Sequence, residues 1–275
     1  MQLPQHKARK GRPVRRGAEE HVRRIYRKLA QAWGPQHWWP AETPFEVIVG
    51  AILTQNTSWT NVERAMARLR EAGVLNLEGI RNVPLAELES LIRSSGYFRQ
   101  KAQRLKDFAG FVDVQFGGAL EQMFALPTDV LRAELLKQKG IGMETADSIL
   151  LYAGLHPLFV VDAYTRRIFE RHGIVTESAK YDDIRWLVEG ALAGEGAPLP
   201  SAVAETGSLP AVHRPSPMSM AQQTKNTRVY NEMHGLLVQI GKHYCSKGLP
   251  NCDMCPLGEL LSLRQRARLR TAGRD

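Results

Sequence analysis

The chain is poor in the features that mark secreted and membrane-bound proteins. It has three cysteines in 275 residues, an odd number that excludes a framework of paired disulfides. No apolar run approaches the roughly 20 residues that cross a bilayer. The first seventeen residues are basic but lack an apolar stretch, so they do not read as a secretory leader. A cytoplasmic, nucleoid-associated location is the expectation. Alternating apolar and polar runs bounded by tight turns are also missing, which leaves no strand pairs to expect, and no internal repeat is visible. Acidic residues are absent from positions 1–17, where Lys7, Arg9, Lys10, Arg12, Arg15 and Arg16 stand unopposed. Between 262 and 275, five arginines face only Asp275. These ends hold +6 and +4 of the formal net charge of +9, which leaves −1 for residues 18–261. Both read as disordered basic tails that attract polyanions without reading sequence. Any specific grip on nucleic acid by the folded body must come from directed amides and local patches.

What the chain does have is helical periodicity. Hydrophobic content of 43% and charged content of 24% suit a globular domain. Glu19 to Trp33 repeats apolar residues at Val22, Ile25, Leu29 and Trp33, and stops at Gly34. Thr43-Pro44-Phe45-Glu46 combines a capping box with Pro at N1 and starts a helix through Leu53 that is apolar almost all round. Further helices are expected from Ser58 to Ala72, Leu85 to Ser94, Arg99 to Phe116, Tyr164 to His172, Tyr181 to Ala193 and Thr227 to Tyr244. The fold class is all-α. Residues 194–222, with Pro198, Pro200, Pro210, Pro215 and Pro217, read as a flexible insertion that carries no chemistry.

One stretch organises the rest. Leu136 to Asp162 places Lys139-Gly140-Ile141-Gly142 between two helical patterns, within a helix-hairpin-helix at 129–153. Glycines around one apolar residue permit a tight turn at positive φ whose amides point outward, toward a phosphate oxygen. Phe159-Val160-Val161-Asp162 then ends a short apolar run on a carboxylate. Each feature alone has a plainer reading, since Gly-x-Gly turns are common between helices and an Asp before a helix is often only its N-cap. A second stretch, His37-Trp38-Trp39-Pro40 followed by Leu53-Thr54-Gln55-Asn56-Thr57-Ser58-Trp59, sets three indoles beside two amides at helix boundaries. Core packing explains most tryptophans. Rings next to amides also suit a flipped nucleobase, held by stacking and by hydrogen bonds to its edge.

Leu136-x2-Lys139-Gly140-Ile141-Gly142-x2-Thr145-Ala146, then Val160-Val161-Asp162, then Cys245-x6-Cys252-x2-Cys255, resembles the endonuclease III-like helix-hairpin-helix DNA glycosylases. The likeness runs from about residue 18 to about 260, outside the insertion. The Trp38-Trp39-Pro40 and Leu53 to Thr57 stretches are most similar to the 3-methyladenine DNA glycosylase branch. The resemblance implies two helical lobes with the DNA cleft between them. Residues 36–156 would form the central lobe, and 18–35 with 157–261 the other. It implies that Asp162 is the catalytic aspartate and that Lys139, Gly140, Gly142 and Thr145 belong to the phosphate clamp. Gln55, with Asn56, would enter the gap left by the extruded base. Trp38, Trp39, Trp59 and Lys242 would line the base pocket.

Two departures from the family pattern matter. Relatives that also cut the strand carry a Schiff-base lysine where this chain has Glu144, and Lys139 lies on the wrong side of the hairpin to replace it. A monofunctional glycosylase is expected, with Lys242 as an untested alternative amine. The family's iron–sulfur cluster takes a fourth cysteine at the position of Leu261, so a [4Fe–4S] cluster with a non-cysteine ligand, a degenerate site and another metal all stay open. The expected partner is double-stranded DNA bearing a damaged base, and nothing demands more than a monomer. Competing readings are an oxidised-pyrimidine or mismatch glycosylase with lyase activity, and a non-catalytic DNA-binding module.

Overall fold

The computed structural model describes residues 17–196 and 213–271. Every element among them is helical. In chain order these are α1 (Ala18–Trp33), α2 (Pro44–Leu53), α3 (Trp59–Glu71), α4 (Leu77–Asn82), α5 (Leu85–Leu91), α6 (Phe98–Phe116) and α7 (Leu120–Phe124). They continue with α8 (Thr128–Lys137), α9 (Met143–Ser148), α10 (Ala163–Arg171), α11 (Tyr181–Leu192), α12 (Pro217–Met220), α13 (Lys225–His243) and α14 (Leu263–Thr271). No helix among the described residues is long and apolar enough to cross a membrane.

The helices form two groups. In one, α2 packs on α3 and α6, α6 also meets α4, α5 and α7, and α8 pairs with α9. In the other, α1 packs on α11 and α13, and α13 on α10 and α11. A π-helical turn at Ile149–Ala153, continuing α9, touches α2, α12 and α13 and so joins the groups. Its five residues are all buried. α2, apolar apart from Glu46, is the central rod: Phe45 to Leu53 are buried without exception. Each large aliphatic side chain taken from water there contributes about 1.5–3 kcal/mol. Thr43 caps α2 by accepting from the Glu46 N–H at 3.2 Å. The return half of the expected capping box is displaced by one residue, because Glu46 accepts from the Glu42 N–H instead.

Several expectations need correction. Ser58 stands at the N-cap of α3 but makes no side-chain cap bond. The helix expected to Ser94 ends at Leu91, and Arg93–Ser95 tightens into a 3₁₀ turn. The basic tail expected at 262–275 is helical over Leu263–Thr271, where Arg270 pairs with Asp253 at 2.7 Å. Arg, Leu, Gln and Ala are strong helix formers, and that propensity outweighs the charge. The insertion expected at 194–222 is also ordered where it is described after 212: Ser216 caps α12, and its hydroxyl donates to the Trp39 carbonyl at 3.1 Å. The basic residues at 1–16 and the middle of that insertion lie outside the described residues.

Candidate active site

The hairpin between α8 and α9 is built by only one glycine at positive φ. Gly140 sits at φ +83°, and a Cβ there would overlap the Arg104 guanidinium. Gly142 is extended at φ −90° and serves as the N-cap of α9, with open space where a Cβ would go. Lys139 is exposed at the turn. Behind it, Arg132 on α8 holds Asp147 on α9 through two hydrogen bonds of 2.6 and 3.1 Å, and also reaches Asp182 on α11 at 3.0 Å. Asp147 is fully buried, so this pair sets the angle of the hairpin.

The amides expected at the DNA gap are engaged with the same hairpin. Gln55 Nε2 donates to the Gly140 carbonyl at 3.0 Å and to Thr145 Oγ1 at 2.9 Å, and its Oε1 accepts from Arg104. Thr145 is thereby turned inward and buried. Asn56 is exposed at φ +53°. Beneath this turn lies Lys101, a buried cation that sequence reading overlooked. Its Nζ donates to the carbonyls of Leu53 (2.9 Å) and Ser95 (2.6 Å), satisfying the end of α2. Burial, with Arg104 nearby, lowers its pKa to about 8. Lys101 thus ties the Gln55 turn to the start of α6, where Tyr97 is 64% exposed at φ +45°.

Asp162 follows an extended, buried run from Leu158 to Val161. Backbone N–H groups of that run are held from α11: Phe159 donates to Glu189 at 2.9 Å, and Val161 to the Tyr181 hydroxyl at 3.2 Å. Asp162 is then the N-cap of α10, its Oδ1 accepting from the Thr165 N–H at 2.7 Å. The other oxygen, Oδ2, lies 3.5 Å from His234 Nε2, and the side chain keeps 11% exposure. Burial pushes this carboxyl up, but His234 and the Thr165 groups outweigh it and hold the pKa below the ordinary value. His234 Nδ1 is in turn hydrogen-bonded to the buried Tyr152 hydroxyl at 2.6 Å.

His234 carries the site into the indoles. Its ring lies 6.0 Å from Trp38. Trp38 meets Trp39 edge-on at 5.9 Å, and Trp39 meets Trp59 at 5.0 Å and Tyr152 at 5.2 Å. Gly235, beside His234, lets α13 approach this stretch, since a Cβ there would stand 3.1 Å from Trp38 Cβ. Lys242, two turns further along α13, sets its Nζ 5.9 Å from the Trp38 ring. Burial lowers the Lys242 pKa. Three tryptophans, one lysine and Asp162 are therefore brought together. Tyr152, His234 and His213, absent from the sequence reading, join them.

Glu144 stands in the first turn of α9 at the rim of the same site. It is solvent-accessible, yet surrounding protein and the neighbouring Asp162 carboxylate push it up to about 7.

The three cysteines lie away from this cluster of rings. Cys245, Cys252 and Cys255 are unpaired and line a small cavity of about 20 Å³ together with Arg171, His172 and Leu261. Arg171 donates to Cys245 Sγ at 3.2 Å. Burial pushes the Cys255 thiol up to about 11. Buried Leu261 closes the place of a fourth thiolate. Among the described residues no three Cys, His, Asp or Glu side chains converge on one ion. A four-cysteine cluster does not fit this donor set.

Residues 49–192 match the family model described as HhH-GPD superfamily base excision DNA repair protein. A Methanocaldococcus jannaschii protein, named as a candidate DNA repair glycosylase, is 42% identical over 87% of this chain and 95% of its own. The H. pylori 3-methyladenine DNA glycosylase MagIII, solved with 1,N6-ethenoadenine, is similar in structure. Its TM-score is 0.63 and its identity 29%, over 82% of this chain and 97% of that one. An endonuclease III solved in a non-covalent DNA complex shares the fold, with a TM-score of 0.68 at 21% identity over 92% and 98% of the two chains.

Proposed function

The chain belongs to the HhH-GPD superfamily of base excision DNA repair proteins, and we propose that within it the chain is a monofunctional DNA glycosylase that removes an alkylated purine such as 3-methyladenine from double-stranded DNA. The observation that carries this reading is the placement of Asp162: one oxygen is tied to the α10 cap, and the other is turned to His234 beside the indoles.

Cleavage of the N-glycosidic bond develops positive charge on the sugar, as in glycoside hydrolysis. Ionised Asp162, poorly hydrated and already oriented, stabilises that charge and orients the attacking water. A base alkylated on a ring nitrogen is already cationic and departs without strong acid assistance. Indole faces favour such a cation by about 0.5–2 kcal/mol per contact. Damage that weakens pairing also lowers the cost of extrusion. The outward amides of the hairpin and exposed Lys139 grip the strand. Asn56 and the exposed Tyr97, both in left-handed backbone, face the duplex where the base has left, and Gln55 holds their turn against the hairpin behind them. Glu144 carries no nucleophilic amine, so the reaction stops at the abasic site. An iron–sulfur cluster enters this reading only as a three-thiolate site that supports the fold behind α10 and α13. Iron and sulfide analysis of anaerobically purified protein tests that part. The enzyme acts as a monomer.

The experiment is a duplex with a single lesion, incubated with enzyme and then split between alkaline and neutral work-up. Alkali-dependent cutting at an alkylpurine is the expected result. Strand cleavage without alkali would favour an oxidised-pyrimidine glycosylase with lyase activity. Binding without base release, unchanged in Asp162→Asn, would leave a DNA-binding module.

A further inference from the structure

His213 reaches the base hollow from the segment between α11 and α13, which carries no recognised motif. Its ring lies 5.4 Å from Trp38 and 6.5 Å from Trp59. The residues after it are fastened to the Trp39-Pro40-Ala41 backbone. Ser216 Oγ donates to the Trp39 carbonyl at 3.1 Å and accepts from the Ala41 N–H at 3.3 Å, and the Met218 N–H donates to the Ala41 carbonyl at 3.2 Å. The segment is thus pinned to the same few residues that present Trp38 and Trp39.

Polar satisfaction points to a ligand here. His213 Nε2 and Trp59 Nε1 are buried without a hydrogen-bond partner, whereas His234 Nε2 faces Asp162. Trp38 Nε1 lies beside the Tyr152 hydroxyl without completing a hydrogen bond. Folded proteins leave few such groups unpaired, because each costs the hydration it gave up. Three in one cluster of rings describe a surface whose partner is flat and has hydrogen-bonding edges.

We propose that His213 is a specificity-determining residue of the base pocket, its ring seated between Trp38 and Trp59 and its Nε2 reading the edge of an extruded cationic alkylpurine. This rests on the glycosylase reading above. Indole nitrogens only donate, whereas a neutral imidazole donates from one nitrogen and accepts on the other. His213 therefore supplies the acceptor that the tryptophans lack. Burial and the nearby Lys242 lower its pKa to about 4, so the ring is neutral at pH 7 and does not repel a cation.

The test compares full-length wild type with His213→Phe, which keeps a ring without nitrogens, and His213→Asn, which restores polar atoms. Substrates are methylated DNA carrying 3-methyladenine and an oligonucleotide with neutral hypoxanthine. For His213→Phe, kcat/KM on 3-methyladenine is expected to fall roughly tenfold, the effect of one lost hydrogen bond, with a smaller change on hypoxanthine. Thermal midpoint and affinity for abasic-site DNA should stay unchanged, and His213→Asn should recover part of the loss. Equal rates for His213→Phe and wild type on both substrates would overturn the assignment and leave the glycosylase reading standing. Faster release by His213→Asn than by wild type would also overturn it, since the ring would then be an obstruction. No base release by wild type would remove both.

Discussion

Two neighbouring regions treat their polar atoms in opposite ways. At the hairpin, Gln55 is paired with Gly140, Thr145 and Arg104, and Arg132 with Asp147 and Asp182. In the ring cluster around Trp38, Nε1 of Trp59 and Nε2 of His213 are buried and unpaired. The hairpin is a finished object whose bonds hold its shape. The ring cluster leaves part of its bonding capacity unused. A satisfied scaffold thus stands beside an unsatisfied group of rings.

The largest break in that contrast should come from Arg132→Met. It leaves Asp147, fully buried, without its guanidinium partner, at a cost of about 3–5 kcal/mol, read by chemical denaturation. Burial already pushes the Asp147 pKa up despite its pairing with Arg132. In the hollow, Asp162→Asn should do the reverse. Asparagine caps as well as aspartate, so the thermal midpoint should move little. Base release should fall roughly 10²–10³-fold under single-turnover conditions, while binding to abasic-site DNA persists.

The scaffold comparison sharpens further at two helix starts. Thr43→Ala removes a cap bond to the Glu46 amide and should cost about 1 kcal/mol. Ser58→Ala removes none and should stay within about 0.5 kcal/mol. Similar losses from both would show that the Ser58 position is capped in solution.

The smallest effect concerns Glu144. Its folded pKa, about 7, is above the ordinary 4.5. The protonated form is therefore favoured by folding, and its stabilisation is complete below pH 4.5 and lost as pH rises through 7. Melting temperatures of wild type and Glu144→Gln should diverge across that window, with the variant flatter. Parallel curves would place Glu144 in ordinary solvent.

What the sequence made legible was local. The Gly140 turn, the Asp162 cap and the Pro44 start depend on neighbours within a few residues, so residue type and spacing were enough. The Trp38, Trp39 and Trp59 cluster was legible because all three flank α2. Contacts between distant elements were not. Tyr152 meets His234 across 82 positions, Lys101 meets Leu53 across 48, and His213 arrives from a Pro-rich stretch that looked empty of chemistry. Gln55 was visible as a polar residue at a helix exit, but its hydrogen bonds to the hairpin depend on how α2 meets α9. The arginines at 262–275 announced charge and concealed a helix.

The anchoring of the extended run before Asp162 has a further consequence. Its amides hang from Tyr181 and Glu189, side chains on a helix that supplies nothing to the base hollow itself. α11 therefore works as a remote height adjustment for the carboxylate. A change such as Tyr181→Phe, which alters no ring in the Trp38 cluster, would let the Asp162 carboxylate settle differently against His234. The set of that carboxylate is then open to tuning from α11, by residues outside the cluster itself.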